Sequence, residues 1–113
     1  MRPIAMMFAA AAVSFGIGHF ALAQAPEPAA EATVIQRDID FEPKEVRIRV
    51  GGQVFFVNED RFGHNVYSET SGGEFDVGRQ GPNTRVGVPF RRAGTFAVMC
   101  RIHPRMSMQV VVQ

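Results

Sequence analysis

The sequence predicts an all-β domain, a Greek-key β-sandwich, and three observations predict it. Short runs of β-branched and aromatic residues recur from position 32 to the C-terminus, and the cleanest of them alternate in polarity. Glycine and proline, 9 and 4 of them from position 32 on, stand mostly between these runs. Beyond the N-terminal segment no stretch carries the period of an amphipathic helix.

Taken in order, Met1 to Ala23 reads as an export signal. Arg2 supplies the positive end, Ile4 to Phe20 is almost wholly apolar or small, and Ala21-Leu22-Ala23 is an A-x-A cleavage site. The mature chain is then expected to begin at Gln24 in the periplasm, with no stable membrane association after cleavage. An uncleaved anchor is the alternative, because the apolar run approaches the ~20 residues that span a bilayer. A twin arginine is missing, which suggests export unfolded and metal loading outside the cytoplasm. Residues 24–31, QAPEPAAE, have no apolar pattern able to pack and read as a flexible spacer. The domain itself is expected over 32–113.

Ala32 to Ile39 is the first expected strand, interrupted by charge and so read as an edge. In Lys44 to Val50, Val46, Ile48 and Val50 alternate with Arg47 and Arg49, the period of a half-buried strand. Gly51-Gly52 is expected to turn the chain into a separate strand, Gln53 to Val57. His64 to Ser68, Arg85 to Phe90, Thr95 to Cys100 and Gln109 to Val112 complete the set. Glu69 to Thr84, with Gly72-Gly73, Gly78, Gly81 and Pro82, reads as a long surface connection with room for one irregular strand. Roughly 90 mature residues bury only a modest core. Phe41, Phe55 or Phe56, Phe75, Phe90 and Phe96 are expected to dominate it.

Charge and cysteine content narrow the function. Removing the leader takes Arg2 from the 12 basic residues and leaves them level with the 11 acidic ones. Nucleic acid is therefore an unsuitable partner, since its binding needs a surplus of Lys and Arg. Cys100 is the single cysteine, so no intramolecular disulfide forms. In an oxidising compartment such a thiol should be paired between chains, protected or used.

Metal ligation uses it. Cys100-Arg-Ile-His103-Pro-Arg-Met106 places a thiolate, an imidazole and a thioether within seven residues, and His64 is the one other histidine outside the leader. Two histidines, one cysteine and a weak axial methionine are the donors of a blue-copper centre. Strand parity agrees with this reading: Phe96, Val98 and Cys100 share one face, Thr95, Ala97 and Met99 the other, and His64 shares a face with Val66. A lone cysteine is usually a small buried hydrophobe, and a lone histidine is usually structural. Here the mature chain has only two histidines and one cysteine, all where one site requires them.

The chain resembles the cupredoxin family, in particular its small members amicyanin, pseudoazurin and plastocyanin. The resemblance runs over most of Phe41 to Val112. It is carried by Phe41-x-Pro43, Gly51-Gly52-Gln53-Val54, Asn58-x-Asp60, His64-Asn65-Val66 and Cys100-x-x-His103-Pro104-x-Met106 followed by Val110-Val111-Val112. It implies one copper held by His64, Cys100, His103 and Met106. Asn65 would then tie the ligand loops together, and Pro104, without an N–H toward the sulfur, would tune the site. Met108 competes for the axial place. The amicyanin-type spacing favours Met106, four residues before Val110. Gly63 and Arg105 depart from what an amicyanin would carry.

Three strong donors and one weak one leave no open position for a substrate. The expectation is thus no enzyme but a monomeric periplasmic carrier of single electrons between a donor and an acceptor, such as a dehydrogenase and a c-type cytochrome. A copper storage or delivery module using Met99, Met106 and Met108 is the alternative, and a docked accessory of an oxidoreductase a third. Arg61, Arg101 and Arg105 are expected to form a basic rim for docking, while Arg91-Arg92 lies at the far pole.

Overall fold

The computed structural model describes residues 3–19, 21 and 27–113. The cleavage site at Ala21-Leu22-Ala23, the start at Gln24 and the first part of the spacer lie wholly or partly outside those residues. Residues 3–19 contain no strand or helix, and Ile4, Met6, Met7 and Phe8 are exposed. No described helix is long and apolar enough to cross a membrane.

Eight strands make up the regular structure among the described residues: β1 (Ala29–Gln36), β2 (Phe41–Glu42), β3 (Glu45–Asn58), β4 (His64–Ser68), β5 (Phe75–Gln80), β6 (Arg85–Pro89), β7 (Gly94–Met99) and β8 (Ser107–Val112). They hydrogen-bond in the order β2-β1-β3-β8-β7-β4-β5, with β6 added to β3. The first half of β3, Glu45 to Ile48, runs parallel to β8. Its second half, Gln53 to Val57, lies antiparallel to β6 and parallel to β1. One long strand therefore serves two ladders, and the sheet folds over its own core as a β-sandwich, the fold class the sequence predicts.

Three local expectations need correction. Gly51-Gly52 does not end a strand. Gly51 takes a φ of 85°, and a Cβ on Gly52 would sit 2.6 Å from the Ala30 carbonyl oxygen, so the pair bends a continuous strand where β1 crosses it. The first strand spans Ala29 to Gln36 rather than Ala32 to Ile39, because backbone pairing to β3 needs no apolar side chains at its start. Nor is it an edge. Asp38 and Ile39, at φ 53° and 56°, reverse the chain so that Phe41 and Glu42 pair back outside it. The region after Glu69 does contain one irregular strand, β5, whose register against β4 shifts between Asn65 and Tyr67.

The core follows from strand parity. Val54 and Phe56 point inward and Phe55 outward, where the Arg85 guanidinium lies 3.7 Å over its ring. Phe41, Phe90 and Phe96 are buried as expected, and Phe75 packs partly buried against them. Each such side chain stabilises the fold by about 1.5–3 kcal/mol on full burial. That is how so small a domain holds together with its cysteine unbridged.

Candidate metal centre

β7 carries the sulfur to its place. Phe96, Val98 and Cys100 are buried, whereas Thr95 and Ala97 are exposed and Met99 is half-buried. Cys100, just past the strand, therefore points into the pole where β4 begins. His64 opens β4 and is fully buried, and His103 sits half-buried in the loop between β7 and β8. That loop closes tightly, the Met106 N–H donating to the His103 carbonyl at 2.9 Å.

The structure brings His64, Cys100 and His103 together, with one donor atom from each lying within 4.8 Å of the others. His64 Nδ1 and His103 Nδ1 are 3.1 Å apart, and Cys100 Sγ lies 3.9 Å from His103 Nδ1. Donors about 2.0 Å (N) and 2.3 Å (S) from one metal, spread over a trigonal plane, stand about 3.5 and 3.7 Å apart. The observed separations bracket those values, so the donor set fits a single small soft cation. Met106 is fully buried at the end of the same loop. Met108 lies one inward position further, inside β8 opposite Val98, where it is a core side chain.

Hydrogen bonds around the donors are dense. The Asn65 N–H donates to Cys100 Sγ at 3.2 Å. The Asn65 side chain accepts from the Arg101 N–H at 3.2 Å and donates to Asp76 Oδ1 and the Gly78 carbonyl at 2.7 and 2.9 Å. It thus links β4, β5 and the Cys100 loop. Asn58 holds the chain leading into His64, its Nδ2 donating to the carbonyls of Phe62, Gln80 and Gly81.

Three contributors had no role assigned from the sequence. Asp60 Oδ2 lies 2.6 Å from His64 Nε2; its spacing four residues before the histidine was the available signal. Burial works to raise the Asp60 carboxyl, but hydrogen bonds from His64 and from the Ile39 and Asp38 N–H groups outweigh it and hold it below the ordinary range. Asp76 is lowered to about 2, first by its bond from Arg101, then by those from the Gly78 N–H and Asn65. Phe62, 44% exposed, sets its ring against both histidines, with centroids 5.3 Å from His64 and 5.6 Å from His103.

The expected basic rim is uneven. Arg101 bonds Asp76 at 2.8 Å, reaches Glu69 at 3.5 Å and lies over the Tyr67 ring, so two carboxylates compensate its charge. Arg105 instead donates to the backbone carbonyls of Asp38 and Ile39. Arg61 is exposed beside a cavity of about 480 Å³ that Asp60 and Phe62 also line.

Comparison with known proteins agrees with this geometry. The model of the family described as copper binding proteins, plastocyanin/azurin family, matches residues 28–113. Amicyanin-alpha of Methylorubrum extorquens is 34% identical over 119 residues, covering 96% of this chain and 98% of that protein. The methylamine utilization protein MauL of the same organism is 29% identical over 98 residues, covering 86% and 83%. Among solved structures, a reduced Cu(I) form of an amicyanin variant superposes with a TM-score of 0.67 at 26% identity, covering 80% of this chain and 86% of that one. A copper-containing nitrite reductase from Thermus scotoductus matches with a TM-score of 0.67 at 30% identity over 89% of this chain, which spans only 25% of that enzyme's length.

Proposed function

From the premise that the chain belongs to the plastocyanin/azurin family of copper-binding proteins, and is a blue copper electron-transfer protein with one type 1 copper, we propose that His64, Cys100, His103 and Met106 hold the metal. We propose further that the mature protein is a periplasmic carrier of single electrons and not an enzyme. The carrying observation is the convergence of one buried thiol and two imidazoles within 4.8 Å.

Copper in such a site supplies a one-electron couple. The chain's own part is to hold the donors still. Cys100 directly follows a paired strand, its sulfur accepts the Asn65 N–H, and Asn58 and Asp60 anchor the approach to His64. Rigid donors keep reorganisation small between the two oxidation states. His103, half-buried beside the exposed side chains of Phe62 and Ile102, is the natural point of exit for the electron.

The leader reading supports export to the periplasm. The name of the second relative, a methylamine utilization protein, supports a place in amine oxidation. A dehydrogenase would then be the donor and a c-type cytochrome the acceptor, meeting the carrier as a monomer. Strand parity turns Met99 away from the site, which weakens the storage and delivery alternative.

The test is the visible and electron paramagnetic spectrum of the copper-loaded mature chain. Intense thiolate-to-copper absorption with reversible reduction is the expected result. Cys100→Ser should lose the colour and keep the fold, because a hydroxyl of similar size cannot supply the soft donor; full colour in that variant would overturn the assignment.

A further inference from the structure

We infer that Asp60 and Arg105 are positioning residues that brace the two parts of the copper site against each other through the turn at Asp38 and Ile39. The inference rests on the ligand assignment above and concerns what holds those ligands in place.

Asp60 Oδ2 meets His64 Nε2 at 2.6 Å, while Oδ1 accepts the Asp38 N–H at 2.8 Å and Oδ2 the Ile39 N–H at 3.1 Å. The Asp60 side chain is only 9% exposed, so these partners replace water. The same two turn residues give their carbonyls to Arg105, from Asp38 O to Nη2 at 3.1 Å and from Ile39 O to Nε at 3.3 Å. Arg105 lies between His103 and Met106. One turn thus ties the His64 side of the site, through its amides, to the Cys100 to Met106 loop, through its carbonyls.

Both turn residues are in the left-handed region, and Ile39 is β-branched, a residue type that region rejects. The conformation persists because four hydrogen bonds from Asp60 and Arg105 over-determine it. The consequence for His64 is chemical. A carboxylate against Nε2 keeps the proton on that nitrogen, leaves Nδ1 free to face His103 and the sulfur, and makes the imidazole a stronger donor. A buried negative charge beside a ligand also favours the more positive oxidation state of the metal.

Two readouts decide the matter, the His64 tautomer in the metal-free mature protein by nitrogen-15 correlation spectroscopy and the reduction potential of the copper-loaded one. Wild type should carry the proton on Nε2. Asp60→Ala should give a mixture of tautomers. Asp60→Asn retains an acceptor oxygen and loses the charge, and should raise the potential with the tautomer largely kept. Arg105→Gln should admit a second His64 tautomer in the metal-free protein and shift the potential, Arg105→Lys should restore part of the wild-type tautomer, and the shift in the Asp60→Asn, Arg105→Gln pair should differ from the sum of the two single shifts. Ile39→Gly, which removes the demand on the turn, should rescue Arg105→Gln and covers the case in which that variant folds poorly. An unchanged tautomer in Asp60→Ala together with an unchanged potential in Asp60→Asn would overturn the role of Asp60, and strictly additive shifts would overturn the brace. Were the wild-type chain to bind copper without colour, the ligand assignment would fall while the metal-free tautomer would still decide this proposal.

Discussion

Asn65→Ala isolates the contribution of one buried amide to the link between the ligand loops. Asn65 is 5% exposed, and its side chain makes three hydrogen bonds, to Asp76, to the Gly78 carbonyl and from the Arg101 N–H. Each is worth about 1 kcal/mol net, so alanine should cost about 3 kcal/mol. A domain of this size loses about 4–8 °C of melting temperature per kcal/mol, giving a fall of about 12–24 °C. Urea and thermal unfolding of the metal-free chain from residue 24 on, followed by circular dichroism, measure it. The bond from Asn65 to Cys100 Sγ comes from the main-chain N–H and survives the substitution. The refolded variant should therefore still turn blue with copper. A loss below about 1 kcal/mol would mean that water replaces the amide at no cost and that the link is not structural.

Three further outcomes follow from the same geometry. Met106→Leu should keep copper while shifting the spectrum and potential, as a weak axial donor tunes more than it binds; Met108→Leu, inside β8, should cost under about 1.5 kcal/mol and leave the spectrum unchanged. Arg61→Glu should slow electron transfer to an acidic partner at low ionic strength, with the effect fading as salt shortens the Debye length to about 10 Å at 0.1 M; Arg91→Glu, before the opposite end of β7, is the control, and equal rates in both would refute a basic docking rim. The folded-state value of Asp76, about 2, lies below its unfolded value of about 4. The stability it contributes is present above that unfolded value and lost as pH falls toward about 2. Asp76→Asn should flatten this acid limb in urea titrations.

Much of the site was legible because its chemistry is scarce. One cysteine and two histidines after residue 23 leave little choice of donors, and the parity of Thr95 to Cys100 already aimed the sulfur inward. The alternation of Val46 and Ile48 marked a half-buried strand, whereas the choice between Phe55 and Phe56 stayed open until the structure showed which face is buried. Such features are local, a matter of side-chain period and residue type along a few consecutive positions.

The structure alone decided whatever depends on partners distant in the chain. Gly51-Gly52 reads as a turn until Ala30 is seen 2.6 Å from where a Cβ on Gly52 would stand. Arg101 reads as a docking charge until Asp76, 25 residues away, neutralises it. Asp60 is a motif residue without a partner in the sequence until it bonds His64 and caps a turn 22 residues upstream, and Arg105 meets that turn across 67 residues. Residue type determines what a side chain can bond to, but only the closed sandwich determines what lies within reach. A carboxylate or guanidinium takes its role from that neighbour, whereas a thiol among so few soft donors keeps the same role in any fold that brings them together.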